Sequence, residues 1–200
     1  MSDRSGLLVR DHFLPAHLRD ALFARVTACE AEFVWGNTRG GPSAQRHALV
    51  LDSARLGELE SAFLGLLCAE IEAQAEVFDI DASTLQSIQL IVTASSSGCY
   101  YRPHLDERDA GAEGARKISA VWFLHRHPPA FRGGELRVYS PEIDGATPAA
   151  WTEDDITVVE ALDNRLVLFH SATLHEVSEV TMEPGQGFEG CRFSLVAWAR

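Results

Sequence analysis

The sequence predicts an α+β fold in which a β-barrel or double-sheet jelly roll carries helices on one outer face. Three features support this: two apolar stripes at helical spacing in the first 80 residues, short β-branched and aromatic runs from residue 86 onward, and Gly, Pro, Asp or Asn between those runs. The chain has 200 residues, the usual length of one domain. We therefore expect a single domain, with a helical N-terminal support region at residues 1–80 and a β-core at residues 86–200.

The first half of the chain contains both predicted helices. The apolar stripe of the first helix, which begins after Pro15, consists of Leu18, Leu22, Phe23, Val26 and Cys29. A second helix is predicted from about Ser53 to Val77, with Asp52 or Ser53 as its N-cap. Both helices have one apolar face, so we expect them to pack against the outside of the β-core.

The strands follow from short apolar runs bounded by turn residues. Gly36–Ser43 is predicted to be a loop between the two helices. The predicted strands are Arg46–Leu51, Ile88–Ala94, Ile118–Leu124, Glu135–Tyr139, Ile156–Val159, Arg165–Phe169 and Arg192–Trp198. Strands this short and closely spaced are typical of a barrel or jelly roll.

Composition and charge exclude several classes of partner. Hydrophobic residues make up 46% and charged residues 23% of the chain, as in an ordinary globular protein. The formal net charge of −12 opposes binding to a phosphate backbone, so no nucleic-acid partner is expected. No apolar run reaches the roughly 18 residues of a membrane span, so no membrane partner is expected either. The four cysteines form no C-x-x-C pair, which favours reduced thiols and a cytoplasmic location.

The strongest local chemical signal is His104 followed two residues later by Asp106. In an extended segment these side chains point to the same side, so both can reach one metal ion. A third ligand must come from elsewhere, and His175 after the apolar strand Leu166–Phe169 is the best candidate, with His170 as the alternative. Two histidines and one carboxylate on one face form the non-haem Fe(II) arrangement, which leaves coordination positions open.

A second signal is Arg192, which shares one face of the last predicted strand with Ser194. Burying an arginine is costly unless it meets an anion, and its guanidinium matches a carboxylate in bidentate fashion. A bound ligand is therefore one candidate partner for Arg192. An internal Asp or Glu, or a position near solvent at the strand end, is the alternative.

Several segments occur together in the order of a known family. These are Gly98, Tyr101, His104 and Asp106, then Arg116–Leu124, then Gly133–Leu136, then Phe169 before His175–Val177, and finally Arg192. From about Gln89 to Trp198 the chain resembles the Fe(II)/2-oxoglutarate dioxygenase superfamily in its prolyl 4-hydroxylase-like branch. The resemblance implies a double-stranded β-helix core.

The same resemblance implies a site and an activity. His104, Asp106 and His175 would be the iron ligands, and Arg192, helped by Ser194, would hold the distal carboxylate of 2-oxoglutarate. The implied cofactors are Fe(II), 2-oxoglutarate and O₂, with ascorbate as an optional reductant. The implied reaction hydroxylates a C–H bond of a protein side chain, prolyl-type, or of a small amino-acid-like metabolite, and releases succinate and CO₂.

The chain also departs from the family pattern. Many members have Tyr-Leu-Asn where this chain has Phe123-Leu124-His125, so Tyr101 is the candidate to supply the missing hydroxyl to the cosubstrate. His125 and His127 are expected at the mouth of the site, in a substrate loop, or simply in solvent. A cupin-like metal-binding module and a catalytically silent jelly-roll interaction domain remain alternatives to the enzyme.

Overall fold

The computed structural model of the protein describes residues 6–36, 45–107, 114–139 and 156–200. Within these ranges the helices are α1 (Ala16–Ala28) and α2 (Glu58–Gln74). The strands, in chain order, are β1 (Leu7–Arg10), β2 (Val34–Trp35), β3 (Arg46–His47), β4 (Leu49–Asp52), β5 (Ile88–Ser95), β6 (Tyr100–His104), β7 (Ile118–Leu124), β8 (Phe131–Gly133), β9 (Leu136–Tyr139), β10 (Ile156–Val159), β11 (Leu166–His170), β12 (His175–Val177), β13 (Val180–Met182) and β14 (Arg192–Ala199). The predicted loop Gly36–Ser43 lies, apart from Gly36, outside the described residues.

The strands form a seven-stranded sheet with the order β1-β11-β7-β14-β5-β4-β2 and a five-stranded sheet with the order β10-β9-β12-β6-β3. Strands β13 and β8 form a separate pair. The chain passes repeatedly between the two large sheets: β5, β7, β11 and β14 belong to the first, whereas β6, β9 and β12 belong to the second. This winding is the predicted double-stranded β-helix, and the α+β class is confirmed.

Strand β7 explains where the core sits. All seven of its residues are buried, because the strand lies inside the large sheet between β11 and β14. Trp122 and Leu124 pack into the cluster that contains the helices, whereas Val121 and Phe123 pack into the cluster between the sheets. Since successive side chains of a strand point to opposite faces, an uninterrupted apolar run is required here.

The helices cover the outer face of the large sheet. Helix α1 begins after Pro15 as predicted, and Leu22 and Val26 of its stripe are completely buried. The second helix is shorter than the predicted Ser53–Val77, because Gly57 has a φ of 62° and separates α2 from a preceding 3₁₀ turn at Ser53–Leu56. Asp52 does act as an N-cap, but of that 3₁₀ turn, where its side chain accepts a hydrogen bond from the backbone N–H of Ala54.

The N-terminal support region contains strands as well as helices, and the predicted strand Arg46–Leu51 is present as β3 and β4. Strand β1 pairs with β11 and strand β4 pairs with β5 in the large sheet. Strand β3 pairs with β6 in the five-stranded sheet. The first 80 residues therefore complete the edges of both sheets. Neither helix α1 nor α2 is long and apolar enough to cross a membrane, and the same is true of every helix in the described ranges.

Candidate metal centre

Two neighbouring strands of the five-stranded sheet bring the predicted metal ligands together. His104 is the last residue of β6, Asp106 follows it, and His175 is the first residue of β12. These strands are antiparallel, and His175 lies directly opposite His104 in their register. His104 and His175 are 71 positions apart in the sequence, but the pairing of β6 with β12 brings them together, because Cβ atoms of directly opposed residues lie about 5 Å apart.

The ligand atoms of the three side chains converge. One atom from each of His104, Asp106 and His175 lies within 4.8 Å of the others. The Nε2 atom of His104 is 3.7 Å from Oδ1 of Asp106, and the Nε2 atom of His175 is 3.4 Å from Oδ2. His170, the alternative third ligand, is not part of this cluster, and its Nδ1 accepts a hydrogen bond from the backbone N–H of Ala172.

Backbone hydrogen bonds orient both imidazoles. Nδ1 of His104 lies 2.8 Å from the carbonyl oxygen of Arg102, and Nδ1 of His175 lies 2.9 Å from that of Thr173. A carbonyl oxygen only accepts, so each Nδ1 donates and carries the ring hydrogen. The lone pair of each neutral ring is then on Nε2 and points at the cluster, which is the tautomer that a metal ligand requires.

The charges of the ligands also suit a cation. Burial, together with neighbouring His175, lowers the pKa of His104 to about 4, so this imidazole is neutral near pH 7. Burial raises the pKa of Asp106, but His175 and His104 outweigh burial and hold it below its usual value. Two imidazoles and one carboxylate fit a divalent transition metal with open positions.

The large sheet supports the carboxylate from behind. Ser119 of β7 donates a 2.8 Å hydrogen bond from Oγ to Oδ2 of Asp106, and Oγ of Ser171 lies 2.9 Å from Oγ of Ser119. Ser171 also accepts hydrogen bonds at its carbonyl oxygen from the backbone N–H groups of Asp106 and Glu107. Hydrogen bonds of this kind fix the orientation of a ligand and tune metal affinity.

Arg192 lies in the same cavity as the three ligands and is 2% exposed. Among the residues that the structure describes, its Nε and Nη2 atoms are buried without a hydrogen-bond partner, and Nη1 makes one long contact, of 3.4 Å, with Oγ of Ser194. The guanidinium lies over the ring of Phe123, with Cζ 4.8 Å from its centroid. Burial lowers the pKa of Arg192 to about 10, so the group is still charged near pH 7. A buried, charged and unpaired guanidinium is strongly unfavourable unless an anion binds it, which fits a carboxylate ligand.

The Gly-Gly turn makes room for Arg192. A Cβ atom on Gly134 would lie 2.5 Å from Cδ of Arg192, and Gly134 has a φ of 75°. The preceding Gly133 is equally constrained, since its Cβ would lie 2.1 Å from the carbonyl oxygen of Glu179. The predicted tight turn is present, and its second glycine also forms part of the wall beside the guanidinium.

In many members of the family a tyrosine on the strand that corresponds to β7 offers a hydroxyl to the cosubstrate, and this chain lacks that tyrosine. Phe123 occupies that position under Arg192, and the Tyr101 ring stacks on the ring of His104 at 3.5 Å between centroids. The hydroxyl of Thr93 lies 2.7 Å from that of Ser194, and both residues line the cavity. Thr93 is therefore a second candidate, beside Tyr101, for the missing hydroxyl.

The cavity connects the three ligands to Arg192. Its apolar walls include Ile91, Val121, Leu136 and Val196. The sequence interpretation missed four polar residues around it: Arg46, Thr93, Ser119 and Ser171. Ser119 and Thr93 could have been found as isolated hydroxyls within otherwise apolar strands, but Arg46 and Ser171 carry no local signal.

The remaining predicted histidines lie elsewhere. His125 is buried, and its two ring nitrogens face the carbonyl oxygens of Arg126 and Ala161 at 2.8 and 3.0 Å. Together with exposed His127 it lines a separate surface depression and not the cavity of the three ligands. The expectation that His125 lies at the mouth of the site or in solvent is therefore wrong, because the end of β7 turns this side chain inward.

The jelly roll thus brings two histidines and a carboxylate that could hold one metal ion into the same cavity as a buried arginine. Residues 88–200 match the model of the 2OG-Fe(II) oxygenase superfamily, where 2OG is 2-oxoglutarate. The match covers more than half of the chain, and this chain belongs to that superfamily. The recognition made from the sequence motifs is thereby confirmed.

Similar proteins agree with this assignment. The chain is 27% identical over 191 residues to an uncharacterized PKHD-type hydroxylase of Synechocystis sp., and the alignment covers 94% of this chain but 61% of the relative. Among solved structures, a Trichoplax adhaerens prolyl hydroxylase in complex with a hypoxia inducible factor peptide fragment has a TM-score of 0.71 at 17% identity, over 98% of this chain and 83% of that one. A Pseudomonas putida prolyl-4-hydroxylase has a TM-score of 0.67 at 24% identity, over 98% and 92%.

A third solved structure widens the range of chemistry found on this fold. The epimerase SnoN from nogalamycin biosynthesis, in complex with Fe³⁺, alpha ketoglutarate and nogalamycin RO, has a TM-score of 0.65 at 16% identity, over 98% of this chain and 79% of that one. These solved structures share the double-stranded β-helix fold with this chain.

Proposed function

We propose that this chain is an Fe(II)- and 2-oxoglutarate-dependent dioxygenase that hydroxylates a C–H bond and releases succinate and CO₂. One observation carries the proposal: the convergent ligand atoms of His104, Asp106 and His175 share a cavity with the unpaired guanidinium of Arg192. A metal centre and a carboxylate receptor in one cavity are what an iron enzyme with a dicarboxylic keto-acid cosubstrate needs.

The chain's own residues would divide the work as follows. His104, Asp106 and His175 would hold Fe(II), and Arg192 with Ser194 would hold the distal carboxylate of 2-oxoglutarate. The bound metal and cosubstrate supply the oxidising power for C–H hydroxylation. Asp106 is oriented by the hydrogen bond that it accepts from Ser119. The apolar walls of the cavity exclude water from the reacting groups.

For the substrate, the proposal retains two classes: a protein side chain of the prolyl type and a small amino-acid-like metabolite. The Trichoplax adhaerens prolyl hydroxylase binds a peptide fragment, which supports the first class. The SnoN complex contains a small molecule, nogalamycin RO, which supports the second. Fold similarity alone does not choose between these classes.

The alternatives from the sequence have less support. A cupin-like metal module would use the two histidines and the carboxylate but would have no use for a buried, unpaired Arg192 opposite them. A catalytically silent jelly roll would need neither the ligand cluster nor the arginine, and both are intact in the described structure.

The experiment is an anaerobic titration of the Fe(II)-loaded protein with 2-oxoglutarate. We expect the weak visible charge-transfer absorption of a chelated keto acid, and succinate formation once air is admitted with a suitable substrate from a panel of peptides and amino acids. Stoichiometric metal binding without affinity for 2-oxoglutarate would instead identify a cupin-like module. No metal binding at all would leave only the silent jelly roll.

A further inference from the structure

Arg46 is a second arginine that faces the cavity of the metal ligands. It lies on β3, opposite Tyr101 of β6, and its half-buried side chain lines the same cavity as His104 and Arg192. Its Cζ atom is 5.2 Å from the centroid of the Tyr101 ring. Among the described residues, no carboxylate forms an ion pair with Arg46 and no oxygen accepts a hydrogen bond from it. Its guanidinium is therefore available to a ligand.

Arg46 and Arg192 are the arginines that line this cavity among the described residues. Acidic residues outnumber lysine and arginine by 29 to 17, so carboxylates are plentiful. The arginines that do form ion pairs with carboxylates are Arg10, Arg19, Arg55, Arg137 and Arg165. Among the described residues, neither Arg46 nor Arg192 forms an ion pair with a carboxylate, whereas other arginines without such a pair, such as Arg25 and Arg132, are exposed to solvent.

The charges in the cavity do not balance without a further anion. A divalent metal beside Asp106 leaves one net positive charge, Arg192 adds a second, and the two carboxylates of 2-oxoglutarate cancel both. The charge of Arg46 then has no counter-ion among the described residues that line the cavity. Burial lowers the pKa of Arg46, while Tyr101 and the carboxylate of Asp106 partly offset this effect. An arginine stays protonated nonetheless, so the uncompensated charge persists at neutral pH.

We propose that Arg46 binds a carboxylate of the primary substrate, and that the substrate is a small carboxylic acid such as an amino-acid-like metabolite. This inference rests on the proposed function of the same site and selects one of its two substrate classes. A guanidinium binds a carboxylate through two parallel hydrogen bonds, which fixes the position of the molecule as well as its charge. Tyr100 and Tyr101, which line the cavity beside Arg46, provide apolar surface for the rest of such a molecule.

The test uses ¹⁹F relaxation near a paramagnetic metal and does not depend on turnover. The protein is loaded with Mn(II) and saturating 2-oxoglutarate, and the probes are trifluoroacetate and the matched neutral compound trifluoroacetamide. We expect Mn(II) to enhance the relaxation of trifluoroacetate well above that of trifluoroacetamide. Arg46→Met removes both charged hydrogen bonds to the carboxylate. We therefore expect the excess relaxation of trifluoroacetate to fall about tenfold or more in this variant. Arg46→Lys should retain part of it, because the charge remains.

The matched control is Arg132→Met. Arg132 is an exposed arginine on β8 that lines the separate surface depression of His125 and His127 and not the cavity of the metal ligands. This variant should behave like the wild type. Thermal melting of each variant separates a folding defect from a binding defect, and Arg46→Lys keeps the test decisive if Arg46→Met is unstable.

The outcomes separate this inference from the proposed function. If Mn(II) or 2-oxoglutarate fails to bind, the proposed function is wrong. If both bind but trifluoroacetate shows no excess relaxation, Arg46 is not a carboxylate receptor and the proposed function stands. The same conclusion follows if Arg46→Met and Arg46→Lys leave the excess unchanged. If the excess disappears as 2-oxoglutarate is raised to saturation, the anion occupied the cosubstrate site, and Arg46 is not a substrate receptor.

Discussion

Ser119 on the large sheet donates its hydroxyl hydrogen to Oδ2 of Asp106, the candidate ligand supplied after a strand of the other sheet. Since the single hydroxyl hydrogen of Ser119 is used there, Ser171 must be the donor in the 2.9 Å contact between the two serine hydroxyls. The metal centre is therefore built across both sheets: the five-stranded sheet supplies the histidines, and the seven-stranded sheet orients the carboxylate.

The first prediction concerns this hydrogen bond. Ser119→Ala should weaken Mn(II) binding by about tenfold to a hundredfold, because a metal-ligating carboxylate loses its orienting partner. Titration followed by electron paramagnetic resonance measures the affinity. The matched control is Ser83→Ala, because Ser83 donates a similar 2.7 Å hydrogen bond to Asp81 on an exposed turn away from the cavity. Equal Mn(II) affinity in both variants would show that Ser119 does not position Asp106.

The sequence predicted the parts of the site that depend on local spacing. His104 and Asp106 could be paired because side chains alternate along one extended segment. The core strand Ile118–Leu124 could be recognised from its own apolar run, and its bounds agree with those of β7. Arg192 was found because an arginine inside an apolar strand is unusual in composition.

The missed residues depend on relationships between distant segments. Thr93 contacts Ser194 across a strand pair, and Ser171 reaches Ser119 from the loop after β11. Arg46 reaches the cavity because β3 pairs with β6. Register between strands is set by the packing of the whole fold and not by any one segment, so a single sequence carries no direct sign of these contacts.

The second prediction distinguishes His175 from His170 as the third ligand. His175→Ala should abolish stoichiometric Mn(II) binding, because His104 and Asp106 alone leave the ion without one of its protein ligands. His170→Ala should bind Mn(II) like the wild type and lose only the hydrogen bond with Ala172, worth about 0.5–1.5 kcal/mol of stability. Calorimetric titration with Mn(II) and thermal melting measure the two effects. The reverse pattern would assign the third ligand to His170.

The third prediction uses a pair of glycines. Gly134 and Gly185 have φ angles of 75° and 78°, so alanine at either position should cost about 1–2 kcal/mol of stability. Only at Gly134 would the new Cβ collide with Arg192, at 2.5 Å from its Cδ atom, whereas nothing lies within 4 Å at Gly185.

Gly134→Ala should therefore weaken 2-oxoglutarate binding to the Mn(II) protein by roughly tenfold or more, because a displaced guanidinium loses charged hydrogen bonds to the carboxylate. Gly185→Ala should leave the Kd unchanged and show only the smaller loss in Tm that follows from its positive φ, because no atom lies within 4 Å of its new Cβ. A Gly134→Ala protein that binds 2-oxoglutarate normally would mean that Arg192 is not confined by this turn.

The fourth prediction tests Arg192 itself. Among the described residues its Nε and Nη2 atoms are buried without a hydrogen-bond partner and no carboxylate forms an ion pair with it, which favours binding of an anion. Truncating one side of a buried charge pair typically costs about 2–5 kcal/mol, so Arg192→Ala should raise the Kd for 2-oxoglutarate by roughly thirtyfold to several thousandfold. Arg192→Lys should fall between this variant and the wild type, because it keeps the charge but loses the planar guanidinium.

Two further measurements show whether the effect of Arg192→Ala is specific. Mn(II) affinity should hardly change, because the ligand cluster contains His104, Asp106 and His175 but not Arg192. The free protein should lose little stability or even gain some, since the substitution removes an unpaired buried charge. A clear fall in Tm, together with an unchanged Kd for 2-oxoglutarate in calorimetric titration, would assign Arg192 a structural role and remove it from the cosubstrate site.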